Sequence, residues 1–286
     1  MKITNTKLAN GIALTSHFPL FDGPYPVIIL CHGFCGIREL LLPAFAQAFV
    51  KSGFAVVTFD YRGFGDSEGE RGRLVPAMQI ADITTVINWT REQECFDSQR
   101  IALWGTSLGG GHVFGAAAKD PMIKCVVSQL AFADGDQVIT GRMDDSERTA
   151  FIHTLDTMQE KQQETGRELF VSIPKVLSDT ESKAFFAENR QRFPKLDIKI
   201  PFLTVLETLR YKPALYAAQV TCPTLVVVAG KDTVNPPEYG RALFKKVAAE
   251  TKHFHEERDA RHYDIYSGDA FKRITRIQIE WFRKYL

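Results

Sequence analysis

The stretch "ALWGTSLGGG", residues 102–111, places one serine between two glycines, after an apolar run and before a helix-compatible segment. A strand that turns into a helix within a few residues brings its backbone close to itself. Side chains two positions either side of the apex would clash, and Gly105 and Gly109 avoid this crowding. G-x-S-x-G between a strand and a helix is typical of a turn that exposes the serine hydroxyl. We therefore predict that Ser107 is a nucleophile at the N-terminus of a helix.

Apolar runs typical of buried strands alternate with helical segments along the chain. The connections between these runs are too long for hairpins, so the fold class is predicted to be α/β, with a mostly parallel central sheet flanked by helices on both faces. Residues 2–18 are the exception: they alternate around Asn10-Gly11, which predicts an opening antiparallel hairpin with a two-residue turn. The predicted buried strands lie at residues 27–33, 54–63, 100–105, 123–132 and 224–230, with a shorter strand at 252–258.

The alternation fails in a charged, irregular and partly helical segment, residues 134–218. Such an insertion between two buried strands is predicted to form a helical cap over the carboxyl edge of the sheet, where ligands bind in open α/β folds. Residues 1–133 and 219–286 are then the α/β core. Five phenylalanines of the insertion are expected mainly in the hydrophobic core, with the lining of an acyl pocket as the alternative: Phe151, Phe170, Phe185, Phe186 and Phe202.

Composition excludes several classes of partner. The chain has 286 residues, 45% of them hydrophobic, and a formal net charge of +1 without long runs of one sign. This balance argues against nucleic acid and against an anionic membrane surface, and favours a small-molecule substrate. The polar N-terminus and the lack of an apolar run of about 18 residues predict a cytoplasmic protein.

No cofactor or metal is expected from the sequence. The five cysteines are scattered and odd in number, which predicts reduced thiols, and the Cys31/Cys35 pair has no second pair to complete a zinc site. His253 and His255 share one face of a strand but lack a third ligand. Neither a phosphate loop nor a dinucleotide fingerprint is present.

A serine nucleophile needs a base, and His262 is the best candidate among seven histidines. It lies in the loop "DARHYDIYSG", which follows the last strand and therefore stands at the carboxyl edge of the sheet. His32 is better suited to shaping the loop that follows its strand. His112 is predicted to point down the helix behind the serine.

The carboxylate that orients this base is predicted to be Asp232, directly after a buried strand in "VVVAGKDTVNPP" and before turn-forming residues 235–237. The chain order Ser107, Asp232, His262 is the one expected for this arrangement. The alternatives are, in order of preference, the neighbours Asp259 and Asp264 and then the insertion residues Asp197 and Glu207.

The tetrahedral intermediate of acyl transfer carries an oxyanion that needs preformed donors. We predict that the backbone N–H of Leu108, which follows the nucleophile, is one donor. The other is predicted to be the N–H of Phe34, in "HGFCG" directly after the predicted strand at 27–33.

Five ordered motifs make the chain similar to the α/β-hydrolase superfamily: "HGFCGIREL", "FAVVTFDYRGFGDSEGE", "ALWGTSLGGG", "VAGKDTVNPP" and "RHYDIY". They resemble that superfamily's oxyanion loop, the loop after its next strand, nucleophile elbow, acid loop and histidine loop. The first two are similar to the branch of bacterial esterases, thioesterases and proline-type or serine aminopeptidase-like hydrolases. The resemblance implies that Asp60 and Arg62 brace a loop. Ala260-Arg261 stands where relatives often have glycine, and Arg261 is expected to narrow the histidine loop.

The predicted function is a serine hydrolase that cleaves a carboxylic ester or thioester through an acyl-enzyme. The alternatives are an acyltransferase or carrier-protein offloading enzyme with the same triad, an aminopeptidase-like peptidase, and a catalytically silent binding protein. A peptidase of that type needs an acidic residue that binds the free amine of its substrate, and Glu160, Glu164 and Glu207 are candidates. A carrier protein or a second copy of the chain are the macromolecular partners considered.

Overall fold

The computed structural model describes residues 1–286 and contains an eight-stranded sheet. Its strands are β1 (Lys2–Lys7), β2 (Ala13–Phe18), β3 (Tyr25–Cys31), β4 (Ala55–Phe59), β5 (Phe96–Thr106), β6 (Cys125–Gln129), β9 (Thr224–Ala229) and β10 (Lys252–Glu257). They lie in the order β1-β2-β4-β3-β5-β6-β9-β10. All pairs from β4 to β10 are parallel, whereas β1 pairs with β2 and β2 with β4 in antiparallel fashion. The predicted mostly parallel sheet is confirmed.

Helices connect the strands and cover both faces of the sheet. They are α1 (Leu42–Lys51), α2 (Pro76–Glu92), α3 (Leu108–Ala117), α4 (Gly135–Thr140), α5 (Asp145–Thr165), α6 (Ile173–Val176), α7 (Thr180–Arg192), α8 (Thr204–Leu209), α9 (Pro213–Ala217), α10 (Pro237–Lys246) and α11 (Gly268–Tyr285). None of them combines the length and apolar character that crossing a lipid bilayer requires.

Each face of the sheet has its own hydrophobic core. On one face, Phe45 and Phe49 of α1 pack on Trp104, with ring centroids 4.6 and 6.5 Å from that of the indole, and aromatic side chains of α11 pack on both phenylalanines. On the other face, α2, α3 and α10 pack on the alternate side chains of the same strands, for example Leu103 and Val126. Strands covered on both sides account for the continuous apolar runs of the sequence.

The opening hairpin forms, but its predicted two-residue turn is wrong. Lys7 pairs with Ala13, so five residues connect the strands. The N–H of Leu8 donates to the carbonyl of Ile12 at 2.8 Å, and the Ile12 side chain is buried instead of extending the ladder. Gly11 still adopts a positive φ of 84° within this longer loop.

The segment between β6 and β9 contains α4 to α9 and a separate antiparallel pair, β7 (Phe170–Ser172) and β8 (Lys199–Pro201). Ion pairs hold it on the loops that follow β3 and β4. Arg73 bridges to Glu168 at 2.5 Å, and Lys195 contacts Glu39 and Asp66, each at 2.8 Å. These ion pairs attach the segment to the loops at the carboxyl ends of β3 and β4.

Candidate active site

Ser107 occupies the tight connection between β5 and α3. It has a φ of 56°, a region that non-glycine residues rarely adopt and that costs about 1–3 kcal/mol. A Cβ on Gly105 would lie 2.1 Å from the Gly109 carbonyl oxygen, and one on Gly109 would lie 2.3 Å from the Cys31 carbonyl oxygen. Only glycine fits at these two positions, as the sequence pattern indicated.

The predicted acid and base lie together at the carboxyl edge of the sheet. Asp232 follows β9, and its Oδ2 atom accepts a hydrogen bond from His262 Nδ1 at 2.7 Å. Both side chains are almost completely buried. An ionised carboxylate only accepts hydrogen bonds, so Nδ1 carries the proton and Nε2 is left as an acceptor.

Backbone donors fix the other carboxylate oxygen of Asp232. The N–H groups of Val234 and Asn235 both donate to Oδ1 at 2.8 Å. The alternative acids are engaged elsewhere: Asp259 pairs with Lys231 at the surface, and Asp264 accepts from the N–H of Arg261. Of these carboxylates, Asp232 alone contacts the imidazole.

The Ser107 hydroxyl opens on the same cavity as His262 but is not hydrogen-bonded to it. Its Oγ atom accepts a hydrogen bond from the side-chain amide of Asn235 at 3.2 Å. Catalytic hydrogen bonds are often long or misaligned before substrate binds. The sequence indicates only a turn at residue 235, and the one signal for a further role is its position three residues after Asp232.

The two predicted oxyanion donors flank the serine. Leu108 is the first residue of α3, so its N–H has no acceptor within the helix. The N–H of Phe34 donates to no acceptor in the protein. A Cβ on Gly33, the residue before Phe34, would lie 3.0 Å from Ser107 Cβ, which places the backbone of this loop directly beside Ser107.

His32 shapes the loop that carries Phe34. Its Nε2 atom donates to the carbonyl of Leu40 at 2.7 Å, and its Nδ1 atom accepts from the N–H of Gly33 at 2.7 Å. Burial lowers the pKa of His32 to about 4, although the hydrogen bond to the Leu40 carbonyl opposes this shift. A neutral imidazole is thereby built into the turn, in agreement with the sequence interpretation.

A cavity of about 420 Å³ lies between the insertion and Ser107. Its wall is largely apolar, and four of the five insertion phenylalanines contribute to it: Phe151, Phe185, Phe186 and Phe202. Phe170, in contrast, is 41% exposed on β7. The expectation of a core position holds for four of them, because Phe186 belongs to a core cluster and Phe151, Phe185 and Phe202 pack against one, and the same four rings also line the cavity.

The charged side chains at the cavity are two cations and one carboxylate, apart from the imidazole of His262. Arg142 and Lys175 have no carboxylate partner, and Asp179 caps the N-terminus of α7 by accepting from the N–H of Ser182 at 2.8 Å. Glu160, Glu164 and Glu207 do not line the cavity. The cavity thus presents no unengaged carboxylate to a ligand.

Tyr263 joins the histidine loop to the insertion. Its ring stacks on Phe185 with centroids 4.2 Å apart, and its hydroxyl lies 3.1 Å from Ser182 Oγ. Arg261 does not narrow the loop, because its side chain is 63% exposed and points to Asp264. Sequence patterns carried no signal for the role of Tyr263, which depends on a partner in α7.

Asp60 and Arg62 brace loops, as the resemblance implied. The carboxylate of Asp60 accepts from the N–H of Arg38 at 2.7 Å and from the N–H of Asp66 at 2.9 Å. Burial raises the pKa of Asp60, and the guanidinium of Arg38 opposes that shift. Arg62 binds Asp82 of α2 through its backbone and its side chain.

We expect acid to destabilise the fold, because His32 and His112 are buried as neutral imidazoles. His112 binds the hydroxyl of Tyr211 at 2.9 Å and the side chain of Gln79 at 2.8 Å, and burial lowers its pKa to about 3. In the unfolded chain both His112 and His32 bind protons below about pH 6.5. The unfolded state then binds more protons, so the free energy of unfolding falls as the pH drops from 6.5 to about 4 for His32 and about 3 for His112.

Urea denaturation at pH 7.5, 6 and 5 measures this loss. Each histidine is expected to lower the free energy of unfolding by up to about 1.4 kcal/mol for each pH unit of acidification. His112→Gln keeps a polar side chain but does not titrate, so its stability should depend less steeply on pH than that of the wild type. Equal pH dependence of the two proteins would contradict the assignment to His112.

Comparisons with known proteins agree with the fold. The sequence model of the family described as "alpha/beta hydrolase fold" matches residues 26–269. An uncharacterized 31.7 kDa protein of Escherichia coli, from a traX-finO intergenic region, is 62% identical over 286 residues, 100% of both chains. The quorum-quenching protein AidA of Acinetobacter baumannii is 29% identical over 93% of this chain and 88% of that protein.

Two further proteins extend the comparison. Thiohydrolase aneE of Aspergillus aculeatus is 25% identical over 97% of this chain and 91% of that protein. The structure of DcsB in complex with its substrate analogue superposes with a TM-score of 0.83 at 24% identity, covering 99% of this chain and 98% of that one. The structural likeness concerns the fold, while the family match covers most of the chain. The protein therefore belongs to the α/β-hydrolase fold family.

Proposed function

We propose that the protein is a serine hydrolase that cleaves a carboxylic ester or thioester through an acyl-enzyme on Ser107. The observation that carries this proposal is the buried 2.7 Å hydrogen bond between Asp232 and His262. The imidazole of His262 lines the same cavity as Ser107, whose backbone is strained. Such a pair supplies a base whose free nitrogen is an acceptor for the hydroxyl proton.

In the proposed reaction, Ser107 Oγ attacks the acyl carbon while its proton moves to Nε2 of His262. Asp232 stabilises the imidazolium and holds its orientation. The N–H groups of Phe34 and Leu108 bind the oxyanion, and each such donor lowers the barrier by about 2.7–4 kcal/mol. His262 then protonates the leaving alcohol or thiol. Water repeats the sequence on the acyl-enzyme and releases the acid.

The cavity suggests the substrate class within this proposal. A volume of about 420 Å³ with aromatic walls suits a small-molecule acyl substrate with an apolar chain. We propose that residues 134–218 act as the cap that covers this chain, and that residues 1–133 and 219–286 carry the reacting groups. The thioester branch gains support from the name of the relative aneE, a thiohydrolase.

The aminopeptidase alternative is less well supported. A substrate with a free amine would meet Arg142 and Lys175, and the carboxylate of Asp179 is already engaged as a helix cap. Its three candidate acids, Glu160, Glu164 and Glu207, lie outside the cavity lining. Charge at the cavity therefore favours a neutral or anionic acyl compound over an ammonium compound.

A fluorophosphonate probe and p-nitrophenyl acetate test the proposal. We expect one phosphonyl adduct per chain, located on Ser107 by peptide mass spectrometry, and steady release of p-nitrophenol. An acyl-pantetheine thioester with a thiol reagent tests the thioester branch. Added alcohols or amines, followed by product analysis, separate hydrolysis from acyl transfer. Folded wild-type protein that is neither labelled nor active on any of these substrates would exclude the proposed function.

A further inference from the structure

We propose that Asn235 is a further catalytic residue, whose side-chain amide donates to Ser107 Oγ and stabilises negative charge on that oxygen. This inference rests on the proposed function, because it gives Asn235 a role only if Ser107 is the nucleophile. The Ser–His–Asp constellation does not require such a residue. What points to it here is a direct contact with the reacting oxygen.

The side-chain amide of Asn235 makes two hydrogen bonds, one to Ser107 and one to the backbone. Nδ2 of Asn235 donates to Ser107 Oγ at 3.2 Å and to the carbonyl oxygen of Leu130 at 2.8 Å. The Asn235 residue is 6% exposed. Because one amide nitrogen carries two hydrogens, a single side chain serves both acceptors, and its orientation is fixed by the stronger bond to the backbone.

The backbone around the amide is shaped to keep this contact. Leu130 has a φ of 52°, an uncommon value for leucine, and its carbonyl is aimed at Asn235. The N–H of Ser107 donates to the carbonyl of Gln129 at 2.9 Å, so the end of β6 holds both the nucleophile and the amide. Ser107 and Leu130, the two residues whose oxygens accept from this amide, both have strained backbones, which is typical of functional sites.

One turn carries the acid and the amide together. Asp232 reaches His262 through Oδ2, and its Oδ1 accepts from the N–H of Asn235 at 2.8 Å. Residues 232–235 therefore orient two side chains in different directions, one towards the base and one towards the nucleophile. A movement of this turn shifts both contacts at once.

The amide determines which way the hydroxyl proton points. A serine hydroxyl has one hydrogen and two lone pairs. An amide N–H on one lone pair leaves the hydrogen free to turn away from Asn235, towards the cavity that His262 also lines. A residue that accepted at this position would instead draw the proton away from the base.

The charge on Oγ changes twice in the reaction. When Oγ bonds to the acyl carbon, its proton passes to His262 Nε2, and the oxygen is partly anionic in between. When the acyl-enzyme breaks down, the C–Oγ bond releases its electron pair to Oγ, and His262 returns the proton. A fixed donor on Oγ stabilises both transition states and is in place before either occurs.

Asn235→Ala and Asn235→Asp test this role. Asn235→Ala removes a hydrogen bond to an oxygen that carries charge in the transition state. We therefore expect kcat for p-nitrophenyl acetate and the rate of fluorophosphonate labelling to fall about 10- to 100-fold, while KM changes little. Asn235→Asp fills the same space but accepts the hydroxyl proton and places a negative charge beside Oγ. It is therefore expected to be slower than the alanine variant by a further factor of about 10.

Asn189→Ala is the matched control, because Asn189 also donates its side-chain amide to a backbone carbonyl, that of Phe185 at 2.9 Å, but does not line the cavity. It should label at the wild-type rate. Rates are taken per folded molecule, with the folded fraction read by circular dichroism. If the alanine variant does not fold, the aspartate variant is compared with the wild type, and labelling within twofold of the wild-type rate overturns the assignment.

Two results overturn the assignment to Asn235. One is an alanine variant labelled within twofold of the wild-type rate, and the other is an aspartate variant as fast as the alanine variant. Either would reduce Asn235 to a support for Leu130. In both cases the wild type is still labelled on Ser107, so the proposed function stands. An unlabelled wild type, by contrast, removes the proposed function itself.

Discussion

Replacing Ser107 with alanine is expected to abolish fluorophosphonate labelling and to lower kcat for p-nitrophenyl esters by at least about 10⁴-fold. Without Oγ, the base His262 has no hydroxyl to deprotonate, and no acyl-enzyme forms. The residual rate would come from substrate binding and from the N–H groups of Phe34 and Leu108, which still stabilise an oxyanion formed by direct attack of water. Labelling and ester turnover by the purified variant measure the loss.

The variant should keep its fold, because alanine retains the Cβ and meets the same backbone restriction at a φ of 56°. Ser98→Ala is a suitable control, since Ser98 lies near the opposite end of the same strand, β5. It should be labelled and active like the wild type. If Ser107→Ala kept more than about 1% of the turnover, the nucleophile would have to be another residue and the proposed mechanism would be wrong.

The turn at Ser107 could be predicted from sequence because the steric restriction that identifies it acts on neighbouring residues. Close approach of the backbone at Gly105 and Gly109 restricts residue type within five positions, and the structure shows why: added Cβ atoms would meet carbonyl oxygens at 2.1 and 2.3 Å. Asp232 and His262 were accessible for a different reason. Parallel strands end at one edge, so residues that follow β9 and β10 approach each other whatever their separation in the chain.

Contacts across the site could not be read in the same way. Asn235 reaches Ser107 over a separation of 128 residues, and Tyr263 meets Ser182 over 81. Whether such side chains touch depends on the rotation of each loop and on the path of the insertion, neither of which leaves a periodic pattern. The same limit applies to the opening hairpin, whose Asn-Gly signal was real but whose loop is lengthened by burial of Ile12.

Replacing Asp232 with asparagine is the second change with a large expected effect, a loss of kcat of about 10⁴-fold with little change in KM. The N–H groups of Val234 and Asn235 keep an oxygen at the Oδ1 position, so the new amide nitrogen faces His262. An amide donor opposite Nδ1 forces the proton of the neutral imidazole onto Nε2. That nitrogen then donates instead of accepting, and the imidazole no longer serves as a base for Ser107. Steady-state turnover of p-nitrophenyl acetate and the rate of fluorophosphonate labelling measure the effect.

Asp259→Asn separates this tautomer effect from a general effect of charge near the histidine loop. Asp259 is closer to His262 in sequence than Asp232 is, but its side chain is 91% exposed and pairs with Lys231 at 2.9 Å. Both variants remove one negative charge from the same edge of the sheet, yet only Asp232→Asn changes the hydrogen bond to Nδ1. Equal losses in the two variants would mean that the local field, and not the orientation of the imidazole, sets the rate. A full loss confined to Asp232→Asn would assign the base to the one histidine that this carboxylate holds.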